Sequence, residues 1–450
     1  MNEPDQQDRS ASVSGGRKRP RTQPAEDVRS RWLWTEGSVW TNRMLTALEQ
    51  GVRGGKWFRL IDKVFSERCL HAAARRVLAN KGASGVDHIT VEEFEFRLMP
   101  ELRKLSQSLE DGSYRPQAIR RVSIPKPGSK ETRPLGIPTV RDRVLQAAIV
   151  NVIEPIFEKD FAEQSYGFRP GRSCKDALRR VDQLIQAGYV HVVDADLKGY
   201  FDSLPHDRLM AGLKDKIADS RMLSLIEMFL KANVIDGMNQ WTPESGAPQG
   251  AVLSPLLSNI YLDPLDHLMA EASFEMVRYA DDFVILCRTA ADAARALELV
   301  EDWTTENGLT LHPTKTRVVD VRTEGFDFLG YHFRGTQHWV SDKSARQLKE
   351  KIRQQTPSKS GRSLECTIAD VNRTLRGWFE YFRHSRPWSF ARLDRFVRQR
   401  LRTILRKRSK RRGCARSGMD NRRWPNAFFA NLGLFNLERA RAEACQSSRR

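Results

Sequence analysis

Cysteine is scarce and dispersed. The six residues Cys69, Cys174, Cys287, Cys366, Cys414 and Cys445 contain no Cys-x-x-Cys pair. That spacing argues against a zinc knuckle and a disulfide framework, and suits free thiols in a reducing cytoplasm. Long apolar runs are also missing. The longest, around 251–262, is broken by Ser254, Pro255 and Asn259 and is too short to span a bilayer. The first thirty residues have no apolar core, which argues against a secretory signal. Acidic residues are sparse at one end. Residues 346–450 hold 28 Lys and Arg against 8 Asp and Glu, while the whole chain of 450 residues carries a net charge of +19. The excess positive charge therefore lies in the last quarter. It suits a polyanion, and nucleic acid better than a membrane, because no lipid or apolar anchor accompanies it.

The remaining pattern divides the chain into four parts. Residues 1–36 are polar and read as a disordered tail. Residues 37–115 form an N-terminal extension with helical spacing over 37–80 and a helix near 92–109. Thr90 and Glu93 supply the capping box of that second helix. Strands and helices then interleave over 116–340, with strands at Val122–Ile124, Val190–Leu197, Phe274–Arg278 and Phe283–Cys287, which predicts an α+β domain. Residues 341–450 read as helical and basic, with helices near 343–355, 367–384 and 388–410.

Two short segments carry the chemistry. In a strand through His191–Leu197, residues two apart share a face, so Asp194 and Asp196 project together. Alone, that pattern fits a strand-end ion pair as well as a metal site. In Arg278-Tyr279-Ala280-Asp281-Asp282-Phe283 two acids sit at the tip of a hairpin between apolar strands. Aspartates are common in turns. Neighbouring carboxylates nevertheless repel and raise one another's pKa, and a hard divalent cation relieves this. The spacing predicts that Asp196 and Asp281 hold two Mg²⁺ ions, with Asp282 close by, for an in-line phosphoryl transfer.

Tyr279-Ala280-Asp281-Asp282 resembles the Tyr-x-Asp-Asp motif of RNA-directed DNA polymerases. Asp196 followed five residues later by Phe201 resembles their first acidic motif. Gln249-Gly250-Ala251-Val252-Leu253-Ser254-Pro255 resembles their Gln-Gly-x-x-x-Ser-Pro motif. Further segments resemble the group II intron branch of that family. They are Ile124-Pro125-Lys126-Pro127 with Arg133-Pro134-Leu135-Gly136, Ser165–Ser173, and Lys81–Asp87, where His88 stands in place of the usual glycine. Leu329-Gly330-Tyr331 resembles a primer-grip turn, and Arg376–Phe382 with the basic helix after it resembles the maturase domain. No cysteine pair or histidine cluster of a zinc-supported endonuclease follows Leu432–Phe435, a pattern similar to the short bacterial class C forms.

The resemblance implies a right-hand polymerase of fingers and palm with an antiparallel sheet, then a helical thumb and maturase domain. Asp196, Asp281 and Asp282 would be catalytic. Asp196, the Leu197 carbonyl, Asp281 and Asp282 would ligate Mg²⁺, with Mn²⁺ as a substitute. Lys126, Arg133, Phe201, Gln249, Gly250 and Lys315 would bind the deoxynucleotide. Phe201 would exclude a 2′-hydroxyl and Lys315 would protonate the leaving pyrophosphate. Leu329 and Gly330 would grip the primer. Arg169 and Arg172 would touch RNA, as would Arg398, Arg402, Arg406, Lys407, Arg408, Lys410, Arg411 and Arg412 on the basic helix. Implied partners are a structured intron RNA, an RNA template with a DNA or RNA primer, deoxynucleotides and target DNA. The implied setting is a bacterial cytoplasmic ribonucleoprotein, without a membrane. Two alternatives stay open at this point: a bacterial reverse transcriptase used in defence or diversification, and a splicing cofactor with a vestigial polymerase.

Overall fold

The computed structural model describes residues 25–52, 54–125, 132–358, 361–410 and 418–447. Eleven strands in three sheets occur among them. In chain order they are β1 (Ile119–Pro125), β2 (Thr132–Ile137), β3 (His191–Asp196), β4 (Val234–Asp236), β5 (Asn239–Trp241), β6 (Glu275–Tyr279), β7 (Asp282–Cys287), β8 (Arg317–Asp320), β9 (Phe326–Phe328), β10 (Tyr331–Arg334) and β11 (Gln337–Val340). The site lies on the antiparallel sheet β6-β7-β3-β8. A second sheet, β2-β1-β4-β5, is antiparallel except for the β1–β4 pair, and β11-β10-β9 is a small antiparallel meander.

The central sheet is covered on both faces, so its strands read as apolar runs rather than alternating ones. Val193, Ala195, Phe283 and Ile285 face one core, built with the N-terminal helices and the helices Val140–Glu158, Ser254–Glu271 and Ala290–Glu306. Val192, Val277, Val284 and Leu286 face a second core, with Ala177 and Val181 of the helix Cys174–Gln186 and with Phe326, Phe328, Tyr331 and Phe333 of the meander. A third core joins the helices Asp342–Gln355, Leu364–Phe382 and Pro387–Arg408 to Trp424, Phe429 and Leu437. From residue 341 onward the described residues form helices and no strand, as the sequence predicts.

Three expectations need correction or refinement. Residues 25–36 are not a loose tail. A helix spans Ala25–Arg31, Val28 and Trp32 are buried, and the Trp32 indole donates to Glu49 Oε1 at 2.7 Å. Two tryptophans in a polar stretch carried a signal that average composition hid; residues 1–24 lie outside the described residues. The helix expected near 92–109 is two helices, Val91–Phe96 and Leu98–Glu110, meeting at Arg97, although the Thr90–Glu93 capping box forms as predicted. His88 keeps a left-handed backbone, φ 58°, at the position where the resembling motif carries glycine. Among the described residues no helix is long and apolar enough to cross a membrane.

Candidate active site

The β6–β7 hairpin has a two-residue tip, because Tyr279 pairs with Asp282. Such tips favour backbones with positive φ at the first central position, usually glycine. Here Ala280 takes it, at φ 60°. This is a strained choice for a residue with a Cβ, and neighbouring groups hold it in place. Arg278 Nη1 donates to the Ala280 carbonyl at 2.9 Å from a fully buried side chain. The same guanidinium donates to both oxygens of Asp266, to Asn259 Oδ1 at 3.0 Å and to Ser165 Oγ at 2.7 Å. Gly167 lies directly against the tip. A Cβ there would stand 2.3 Å from the Ala280 nitrogen, which only glycine avoids.

β3 brings the third carboxylate. Asp196 is the register partner of Asp282, and Asp194 that of Val284. The side-chain alternation therefore puts Asp194, Asp196 and Asp282 on one face, with Asp281 at the tip beside them. Burial pushes the Asp282 carboxyl up to about 7, aided by the charges of Asp194, Asp281 and Asp196. Burial also raises Asp194 to about 6, opposed by Arg317, and holds Asp281 above the usual carboxylate range, with Asp196 adding to it. Lys315 donates to Asp196 Oδ2, so a lysine ammonium neutralises one acid of the set. Among the described residues no three carboxylate, histidine or cysteine side chains are drawn together closely enough to enclose a metal ion. The donors are all hard oxygens with surplus negative charge, and one already holds a cationic partner. That chemistry fits a divalent oxygen-seeking cation. The Leu197 peptide, next to Asp196, is fixed by a bridge to Leu311, and the Asp196 carbonyl accepts from His312 N at 2.7 Å.

A cleft of about 530 Å³ is lined by Phe201, Asp202, Gln249, Pro134, Arg121 and Trp241 among others, and none of the three acids is part of its lining. It brings together Phe201 and Gln249 from separate motifs. The Gln249 carbonyl accepts from Gly136 N at 2.7 Å, which joins the loop to β2. Gly250 has φ 105°, and a Cβ there would meet Leu135 Cδ1 at 2.7 Å and the Gly136 carbonyl at 2.8 Å. Glycine is required on both counts. Gln146, buried in the helix Val140–Glu158, accepts from Val252 N at 2.9 Å and so steadies the same loop. Arg133 is exposed on β2, and its charge reaches Asp281. Lys126 lies outside the described residues.

Leu329 and Gly330 form the β9–β10 turn with φ of 46° and 82°. Two arginines are corrected. Arg169 is buried, paired with Glu158, and donates to the carbonyls of Ala162 and Ser165 at 2.6 and 2.9 Å. It braces the loop under the hairpin tip and has no face for RNA. Arg402 is buried too, donating to the Trp424 carbonyl at 2.9 Å and to Asn426 Oδ1 at 2.8 Å. Arg172 turns inward onto the Glu163 carbonyl at 2.6 Å, and Arg406 pairs with Asp420 at 2.7 Å. Arg398 is half-buried, Lys407, Arg408 and Lys410 are exposed, and Arg411 and Arg412 lie outside the described residues. Sequence reasoning missed Arg278, Asp266 and Gln146, because a buried polar network leaves no periodic signal. The arginine beside the motif and the polar residues inside apolar helices were the available hints.

Comparison with known proteins gives two matches to family models. Residues 124–333 match "Reverse transcriptase (RNA-dependent DNA polymerase)", and residues 345–424 match "Group II intron, maturase-specific domain". Protein YkfC of Escherichia coli strain K12 is 35% identical over 314 residues, covering 61% of this chain and 82% of YkfC. The group II intron-encoded protein LtrA of Lactococcus lactis subsp. cremoris is 40% identical over 210 residues, covering 46% of this chain and 34% of LtrA. An uncharacterized 91 kDa protein in the cob intron of Schizosaccharomyces pombe is 31% identical over 286 residues, covering 50% of this chain and 35% of that protein. The matched region thus spans most of YkfC but about a third of the two intron proteins.

Proposed function

The chain belongs to the reverse transcriptase family and carries a group II intron maturase-specific domain, and from that premise we propose that it copies RNA into DNA at the Asp196–Asp281–Asp282 cluster. The observation that carries this reading is the register of Asp196 opposite Asp282, with Asp281 at a braced hairpin tip. The divisions at 37–115, 116–340 and 341–450 are, in this reading, N-terminal extension, fingers with palm, and thumb with maturase domain.

Asp196, the Leu197 carbonyl, Asp281 and Asp282 would hold Mg²⁺, two ions in the working complex, with Mn²⁺ as a substitute. Bound there, the metal supplies positive charge for the primer 3′-hydroxyl and for the departing pyrophosphate. The chain's residues do the rest. Arg133, with Lys126, grips the triphosphate of the incoming deoxynucleotide. The Phe201 ring closes the sugar side of the cleft against a 2′-hydroxyl. Gln249 and Gly250 let the backbone approach the nascent pair. The exposed Lys315 ammonium gives its proton to the pyrophosphate. The Leu329–Gly330 turn holds the primer end.

The maturase part of the proposal is assistance to splicing and retrohoming through binding of a structured intron RNA, with target DNA as a later partner, in a cytoplasmic ribonucleoprotein. Lys407, Arg408 and Lys410 are the exposed cations at the end of the basic helix that support it, joined by Arg392, which lies over the exposed Trp388 ring at 5.1 Å. The test pairs two assays on one preparation. Primer extension on an RNA template with deoxynucleotides and Mg²⁺ checks the polymerase, and self-splicing of the flanking intron RNA at low Mg²⁺ checks the maturase. Extension with stimulated splicing is expected. A folded, RNA-binding protein that never extends would overturn the polymerase reading and leave the splicing one.

A further inference from the structure

The maturase-specific match begins at residue 345, yet the helix Leu364–Phe382 ends inside the polymerase. Phe382 is buried in the core beneath the central sheet, together with Val277, Val284 and Tyr331, and Trp378 and Tyr381 pack against that core. The rings of Tyr331 and Phe382 lie 5.1 Å apart, and those of Trp378 and Phe382 4.5 Å apart. This helix is therefore part of the surface on which the catalytic hairpin rests.

Its last turn also holds the Leu329–Gly330 turn. Leu329 has no preference for a left-handed backbone and pays roughly 1–2 kcal/mol for it, so neighbouring groups must fix the turn. The Tyr381 hydroxyl donates to the Leu329 carbonyl at 2.8 Å. Ser341 N and Ser344 Oγ both donate to the Gly330 carbonyl at 3.0 Å. A Cβ on Gly330 would stand 2.9 Å from Ser344 Oγ and 3.3 Å from the Phe382 ring. The Tyr331 hydroxyl, in return, donates to the Tyr381 carbonyl at 2.7 Å.

The Tyr381 side chain is also packed toward the hairpin. Tyr381 and Tyr279 both pack against the core that holds Tyr331 and Phe382. Tyr279 is the last β6 residue before the Ala280–Asp281 tip. One packed core thus joins the Leu329 side chain, the Tyr381 ring and the last β6 residue of the catalytic hairpin.

We propose that Tyr381, although it belongs to the maturase-specific region, is a positioning residue of the polymerase, holding the Leu329–Gly330 turn in register with the hairpin of Asp281 and Asp282. The inference rests on the polymerase reading given above. Tyr381 has no hydrogen bond to the acids, so its effect passes through the turn and the shared core. It follows that one helix, Leu364–Phe382, lies within the maturase-specific match and also holds the turn presenting the primer end.

The test is steady-state primer extension on an RNA template by the full chain, comparing wild type with Tyr381→Phe. The Michaelis constants for primer–template and for deoxynucleotide are measured separately, along with the thermal midpoint. Tyr381→Phe keeps the ring and removes the hydroxyl. Losing one net hydrogen bond, the primer–template constant should rise about fivefold. The deoxynucleotide constant should stay within about twofold, and the midpoint should hold. Equal constants for wild type and Tyr381→Phe would overturn the proposal while leaving the polymerase reading intact. So would a joint rise of both constants with a falling midpoint, which marks a merely structural role. Absence of extension by wild type would overturn the polymerase reading itself, and the proposal with it.

Discussion

The Arg278 guanidinium grips the Asp266 carboxylate through both oxygens, at 2.7 and 2.5 Å, with both side chains wholly buried. Nothing in this pair touches substrate. It ties β6 to the helix Ser254–Glu271, while a third nitrogen–oxygen bond fixes the Ala280 carbonyl at the tip. A buried ion pair of this kind adds little net stability over apolar packing, but losing one partner strands the other. Asp266→Asn should therefore destabilise the fold by about 3–5 kcal/mol, read by denaturant unfolding. A change under about 1 kcal/mol would show that water or a neighbour satisfies Arg278 instead.

Gly167→Ala tests the contact with the tip from the other side. Its Cβ would meet the Ala280 nitrogen at 2.3 Å and the Tyr279 carbonyl carbon at 2.8 Å, both backbone atoms that cannot swing aside. The hairpin must move, and misplacement of a reacting group by about 1 Å can cost on the order of 100-fold in rate. The maximal rate of extension should fall at least about tenfold, with primer–template affinity little changed. Full activity would mean that the tip tolerates displacement.

Phe201 lines the cleft with Asp202 and Gln249 and is only half-buried. Phe201→Ala should raise ribonucleotide incorporation relative to deoxynucleotide by roughly tenfold or more, since steric exclusion is the discrimination removed. Competition between the two nucleotides in a single extension assay gives the ratio. An unchanged ratio would remove Phe201 from the sugar side.

Much of this arrangement was legible in the sequence, and its failures have common causes. Strand β3 announced itself as an apolar run ending in acids, β6 and β7 as apolar runs either side of the Asp281–Asp282 pair, and Thr90 marked its helix start. The helix Ser254–Glu271 did not stand out, because it is buried nearly all round and so has no polar stripe. β4 and β5 were missed as well, each being three residues long. On the basic helix, residue type suggested a phosphate-binding face, but charge alone could not say that Arg402 turns inward to Trp424. Lys315, Phe201 and Gln249 were singled out as candidates by motif, while the residues that hold the motifs in place, Arg278 and Gln146, were not.

That inward turn separates two kinds of arginine experimentally. Replacing Lys407, Arg408 and Lys410 by alanine should weaken RNA binding and lower the slope of log affinity against log salt by about 2–3. Arg402→Ala should instead lower the thermal midpoint through loss of its bonds to Trp424 and Asn426. If Arg402→Ala changed the salt slope and left the midpoint alone, the assignment would be reversed.

Glu154 gives a pH dependence away from the site. Burial pushes its carboxyl up from 4.5 to about 7, Glu158 adding to this and Arg76 opposing it. The folded state thus binds the proton more tightly than the unfolded chain. The favourable contribution is complete below about pH 4.5, is lost as pH rises through 7, and stays lost above. Glu154→Gln should therefore be more stable than wild type at pH 8, by on the order of 1–3 kcal/mol, and closer to it at pH 5. Parallel thermal midpoints across that range would contradict the assignment.

The central claim is that Asp196, Asp281 and Asp282 form a polymerase site. It is tested most directly by primer extension on an RNA template with Mg²⁺ and deoxynucleotides, comparing wild type with Asp281→Asn in preparations matched for thermal midpoint and primer–template binding. The account predicts extension by wild type and a loss of about a thousandfold or more in Asp281→Asn, the scale of removing a group that acts in the transition state. Equal extension by both proteins, or none by a folded wild type that binds its template, would contradict it.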